Sequence, residues 1–203
     1  MDLRAPLVLP AAQQAVLEAA YAVPARAYHN FAHVGEVLGH YAEVAAGPGW
    51  RHPAETWLAV LYHDAVYEPG RTDNEARSAD LAREHIARWL PDAGIDAERV
   101  AALIALTARH GQLRPDEVDE EAALFLDCDM AILGASPSRF DAYDRGIAAE
   151  YRGRVPAVLY RLNRRRFLKA LLGRERIFLS DFFHARLDAA ARANLRRALA
   201  TKR

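Results

Sequence analysis

The sequence predicts an all-α protein, and three observations predict it. Ala, Leu, Arg and Glu dominate the 203 residues. Apolar residues recur at helical three- and four-residue spacing almost throughout. No segment reads as a persuasive strand. Pro10 starts a first helix that runs to about residue 22. The stretch "VPARAYHN" breaks it, and Asn30 is a candidate N-cap for a helix carrying His33, Val34, Val37, Leu38 and Tyr41. "AAGPGWRHP" is a turn. "AETWLAVLYHDAVY", up to residue 67, is a strongly apolar helix. "EPGRTDN" is a loop whose Asp73 or Asn74 caps "EARSADLAREHIARWL". Pro91 to Gly94 turns the chain again. "DAERVAALIALTARHG" is a helix closed by Gly111. "PDEVDEEAALFLDCDMAILG" starts at Pro115 with an acidic first turn and ends at Gly134. "SPSRFDAYDRGIAAEY", "PAVLYRLNRRRFLKALLG" and "HARLDAAARANLRRALA" complete a single domain, residues 1–203, of roughly seven to nine helices.

Composition excludes several classes of function. Hydrophobic residues make up 52% and charged residues 27%, enough apolar material for a core. Lys+Arg and Asp+Glu are 27 each, so no global field draws the chain to nucleic acid or to an anionic membrane. The single cysteine, Cys128, excludes an intramolecular disulfide and a Cys-rich zinc module. No apolar run approaches the roughly 18 residues of a spanning helix. "MDLRAPLVLPAAQQ" does not read as a signal peptide. A cytoplasmic protein is expected, one that a homodimer would suit.

The informative residues are polar ones in apolar surroundings. On a continuous helix, His63 would have Ala59 and Val60 below it and Val66 and Tyr67 above it. Asp64 would sit among Val60, Leu61 and Tyr67. Asp129 is flanked by Phe125, Leu126, Ile132 and Leu133, and Asp127 by Ala123, Leu124, Met130 and Ala131. His110 follows Leu106 and Thr107. A buried carboxylate without a partner costs several kcal/mol or takes up a proton. A lone histidine on an apolar face is usually a satisfied core residue. Several imidazoles and carboxylates on separate helices need mutual compensation, and a divalent cation compensates them together.

The ordered set His33, then His63-Asp64, then a late-helix aspartate resembles the HD-domain superfamily of metal-dependent phosphohydrolases. "HVGEV" is similar to its first-histidine helix, "LYHDAVY" to its name-giving doublet, and "DCDMAILG" to its last-ligand helix. With "YHNFAHV", "HDAVYEPGRTDNEARSA" and "RFLKALLGRERIF", the resemblance covers nearly the whole chain and points to a bacterial subgroup of predicted phosphohydrolases. It implies a compact helical bundle and a metal held by His33, His63, Asp64 and Asp129. Asp129 takes the last position because the family's aspartate follows a small residue. A mid-row ion such as Mn, Fe, Co or Ni is expected, with Mg and Zn also compatible.

The implied reaction is hydrolysis of a phosphate ester, in a nucleotide or a related small molecule. Asp64 could also steer the attacking water. His110, His29 and Glu75 are candidates for protonating the leaving group or contacting phosphate. Glu75 could instead simply stabilise its helix N-terminus. Asp127 and Asn30 would support the ligands from behind. Tyr67 stands where better-understood nucleotidases of the superfamily place a Glu, and Glu68 faces elsewhere. "RLNRRRFLK", including Arg164 to Arg166, reads as a solvated helix face that could supply arginines to phosphate. Its few interleaved aromatics argue against a nucleic-acid surface. Two other classes compete. A di-iron oxygenase would need a second metal, to which His110 and Asp127 could contribute. A non-catalytic metal-stabilised binding module would need no turnover at all.

Overall fold

The computed structural model describes residues 5–22, 24 and 26–201. Residues 1–4 of the opening segment, and Val23 and Ala25 of the first break, lie outside them. The described residues form nine α-helices and two short 3-10 helices, with no strand, so the protein is all-α. None of these helices is long and apolar enough to cross a membrane. The chain divides into two compact units, Met1–Ala108 and Arg109–Arg203.

The first unit contains α1 (Ala11–Ala22), α2 (Phe31–Ala46), α3 (Pro53–Tyr62), α4 (Asn74–Trp89) and α5 (Ala97–Thr107). α3 is its centre and packs against α2, α4 and α5. Every residue from Thr56 to Tyr62 is buried, which explains why this helix carries no polar stripe. Val34, Val37, Val100 and Ile104 close around it from α2 and α5. Asn30 caps α2 as the sequence predicts, its side chain accepting from the Ala32 N–H at 2.9 Å. Asp73 holds the N-cap position of α4 but makes no side-chain cap bond.

The second unit contains α6 (Glu120–Met130), α7 (Pro137–Tyr151), α8 (Ala157–Leu172) and α9 (Asp181–Ala200). Phe125, Phe140, Leu171, Phe178, Phe183 and Leu195 form its core. The 3-10 segment Ala131–Gly134 lies directly on α9. A Cβ on Gly134 would come within 2.7 Å of Leu187 Cβ and 3.0 Å of its carbonyl oxygen, so the approach requires glycine. Asn194 of α9 fastens the same segment, donating to the carbonyls of Leu133 and Ala135 at 2.9 Å each.

Three expected helices are shorter than their apolar patterns. The helix expected to reach residue 67 stops at Tyr62. His63 and Asp64 therefore lie in the turn that closes α3, not on its face. α5 ends at Thr107, and the chain turns through Gly111 at φ 77°. The single helix expected from Pro115 to Gly134 is a 3-10 turn at Pro115–Glu117, then α6, then the 3-10 segment. Apolar spacing reports burial, and a buried turn keeps that spacing without the helical hydrogen bonds.

Candidate metal centre

Side-chain donors remove the chain from helix at the end of α3. Arg26 donates to the carbonyls of Asp64 at 2.6 Å and Ala65 at 3.0 Å, and also to those of His29 and Ala20. A continuing helix would have offered the first two carbonyls to main-chain N–H groups one turn on. Ser78 of α4 takes both the N–H and the carbonyl of Val66. Asn74 does the same for Glu68. The loop after the His-Asp doublet is thus fixed at both edges by side chains that substitute for backbone partners.

This turn brings three side chains together. His33, buried in the first turn of α2, places Nε2 at 3.1 Å from His63 Nε2 and 3.6 Å from Asp64 Oδ2. His63 Nε2 lies 3.2 Å from the same oxygen. Among the described residues, His33, His63 and Asp64 are the group whose ligand atoms could share a metal ion. His63 Nδ1 is 2.8 Å from the Val60 carbonyl. A carbonyl only accepts, so Nδ1 carries a proton and, in the neutral ring, Nε2 presents its lone pair. That lone pair points at a second imidazole nitrogen and at a carboxylate oxygen. Burial raises the Asp64 carboxyl, but His63, His29 and His33 in their protonated, metal-free forms outweigh it by charge, and His63 by hydrogen bonding, and hold the group well below the usual carboxylate range.

The donor set fits a borderline divalent ion. Two imidazole nitrogens and a carboxylate oxygen are standard ligands, and bonds of about 2.0–2.2 Å at tetrahedral angles set ligand atoms roughly 3.4 Å apart. The three separations, 3.1, 3.2 and 3.6 Å, bracket that value.

The remaining first-unit candidates flank this cluster. The His29 ring lies 4.1 Å from Tyr67 and 5.9 Å from His33, centroid to centroid. Tyr28 packs on both histidines. Tyr67 is therefore a ring partner of His29, and Arg26 sits over its other neighbourhood at 5.7 Å. Glu68 is turned to Arg77, bound at 2.6 Å. Glu75 is half-buried in the first turn of α4, where Asn74 and Ser78 make the anchoring bonds. Asn30 reaches back to the Arg26 carbonyl at 3.2 Å as well as capping α2.

The second unit places its candidates in two arrangements. His110 Nδ1 and Asp129 Oδ2 pair at 2.9 Å, both partly exposed. Asp127 is buried and accepts from the Leu179 N–H at 2.8 Å, the Ser180 N–H at 2.7 Å and the Ser180 hydroxyl at 2.6 Å. It fastens the start of α9 to α6. Burial pushes its carboxyl up to about 7, against the pull of those three donors.

Sequence reasoning missed Arg26 and Ser78, and offered Asn74 only as a candidate helix cap. The available signal was an arginine inside a helix break two residues before "YHNF", and an Asn and a Ser one turn apart at the start of α4. No family model, no curated protein and no solved structure matches the chain, so the geometry of these residues carries the functional argument.

Proposed function

We propose that the protein is a metal-dependent phosphohydrolase acting on a nucleotide or another small phosphorylated molecule, with a divalent ion held by His33, His63 and Asp64. The observation that carries this reading is the convergence of two imidazole nitrogens and a carboxylate oxygen within 3.6 Å in a buried turn. The HD-domain resemblance supports it. A bound divalent ion lowers the pKa of a coordinated water and offsets charge developing on phosphorus. The chain's own groups supply the rest. The Val60 carbonyl fixes the tautomer of His63. Arg26 fixes the backbone of Asp64, whose carboxylate orients water by hydrogen bonding. His29, whose ring lies 5.9 Å from that of His33, is a candidate to contact phosphate. His110, paired at Nδ1 with Asp129, is the second unit's candidate for proton transfer.

The test uses the purified 203-residue chain, stripped of metal and reloaded in turn with Mn, Fe, Co, Ni, Zn and Mg. Turnover of a generic phosphomonoester and of a nucleotide panel should depend on the added ion and disappear in Asp64→Ala. Metal uptake without hydrolysis across the panel would overturn the reaction class. Dioxygen consumption by the iron form would then identify an oxygenase, and inertness there a metal-stabilised binding module. Failure to take up any ion would overturn the site itself.

A further inference from the structure

The arginines of α8 line a cavity within the second unit. It has a volume of about 620 Å³ and lies among the end of α7, the start of α8 and the end of α9. Small-molecule sites occupy roughly 300–1,000 Å³. Its wall is aromatic and apolar: the Tyr151 and Tyr160 rings stand 5.3 Å apart at 35°, above Leu168. Burial raises the Tyr160 phenol to about 12, so the hydroxyl stays neutral and can donate.

Among the described residues that line the cavity, charge is one-sided: Arg152, Arg161, Arg164 and Arg165 stand against one carboxylate, Asp144. Arg164 and Asp144 answer each other at 3.0 Å, both largely buried, and Arg164 also donates to the Tyr143 hydroxyl. Two of the other arginines meet neutral acceptors: Arg161 the Ala157 carbonyl at 3.3 Å, Arg165 the Leu199 carbonyl at 2.9 Å. A carbonyl satisfies an N–H without compensating the guanidinium charge. The rim is shaped by the turn after α7. There the N–H groups of Arg154 and Val155 return to the Tyr151 carbonyl, and Gly153 adopts φ 77°.

We propose that this cavity is a binding site for a small amphipathic anion. A flat ring body lies on Tyr151 and Tyr160, and its carboxylate, sulfonate or phosphonate-type head meets Arg152, Arg161 and Arg165. The rings supply stacking area, the guanidinium forks pair with planar or tetrahedral oxyanions, and the uncompensated charge selects against neutral molecules of the same shape. This site is independent of the histidine–aspartate cluster.

The test is a fluorescence titration of the full chain with 8-anilinonaphthalene-1-sulfonate and with the neutral N-phenyl-1-naphthylamine. The sulfonate should saturate at one per chain and bind about 10-fold more tightly than the neutral probe. Arg152 and Arg161 are exposed, so the double variant Arg152→Glu/Arg161→Glu should fold normally. It should weaken the sulfonate by about 10-fold or more and leave the neutral probe unchanged. Tyr151→Ala should weaken both probes. Competition by 1-naphthoate or by naphthalene-1-phosphonate then identifies the preferred head group, and displacement by neither would overturn the site. So would non-saturable binding, or affinity indifferent to both variants in protein whose thermal melt is unchanged. A dimer in sedimentation that Tyr151→Ala dissociates would also overturn it, by assigning the cavity to a second copy of the chain.

Discussion

Asp64 and Asp127 both carry a carboxylate out of water, and the protein answers them in opposite ways. Asp127 receives three donors from Leu179 and Ser180, and its burial is settled by hydrogen bonds of the kind that build any core. Asp64 is met by two histidine nitrogens, one of which presents a lone pair because its ring proton is committed to Val60. The lesson is that burial alone does not mark a candidate functional carboxylate. What marks it is whether its neighbours are donors already spent on it or atoms that would themselves bind a cation. The two aspartates look alike in sequence, each flanked by apolar residues one turn away on both sides.

The largest expected break in this comparison is in metal affinity. Asp64→Ala should lower the affinity for a divalent ion by well over about 100-fold, while Asp127→Asn should change it by no more than about 10-fold. Isothermal titration of the stripped proteins measures both, and equal losses would erase the distinction. Asp129→Asn should fall with Asp64→Ala if it is a ligand. If its affinity instead matches Asp127→Asn, its role ends at the ion pair with His110. Arg26→Ala comes next, because it releases four carbonyls at once. A stability loss of about 2–3 kcal/mol is expected in chemical denaturation, with a roughly 10-fold weaker ion affinity as the His-Asp turn loosens. Arg26→Lys should recover little of either, since an ammonium cannot span the carbonyls as a planar fork does.

Asp127→Asn should act on stability, costing about 1–3 kcal/mol as the amide NH2 confronts N–H groups that need an acceptor. Its pH dependence sharpens the contrast. The native Asp127 carboxyl is raised to about 7 from an ordinary value of 3.8. Below about 4 both native and unfolded forms hold the proton, and the contribution to stability is complete. Between about 4 and 7 the unfolded chain ionises first, so that contribution is lost as pH rises through the native value. Thermal midpoints of the wild type, taken relative to Asp127→Asn, should therefore decline from pH 4 to pH 7. A rising difference would mean that the three donors dominate over burial. The smallest effect is expected at Gly134→Ala, about 1–2 kcal/mol, from the clash with Leu187. It should leave ion affinity untouched.

Helix content, the Asn30 cap and the odd placement of His63, Asp64 and Asp127 were legible in the sequence because each follows from local spacing and residue type. Composition, helical periodicity and the lack of a strand pattern predicted the all-α class that the structure shows. The sequence also singled out His33 and the His-Asp doublet, the doublet as polar residues in apolar surroundings and His33 through a resemblance to a superfamily's pattern. It could not show that the doublet leaves the helix, because apolar residues continue past Tyr62 as though α3 did. The end of α3 is decided by Arg26, Ser78 and Asn74, which lie 3 to 39 residues from the groups they hold. Nor could it separate Asp127 from a ligand, since the donors that satisfy it arrive from 52 and 53 residues away. Local spacing determines which side chains must find partners. Only the tertiary structure decides which partners they find, because hydrogen bonds and ligand sets depend on atoms within about 3 Å of each other, whatever their separation along the chain.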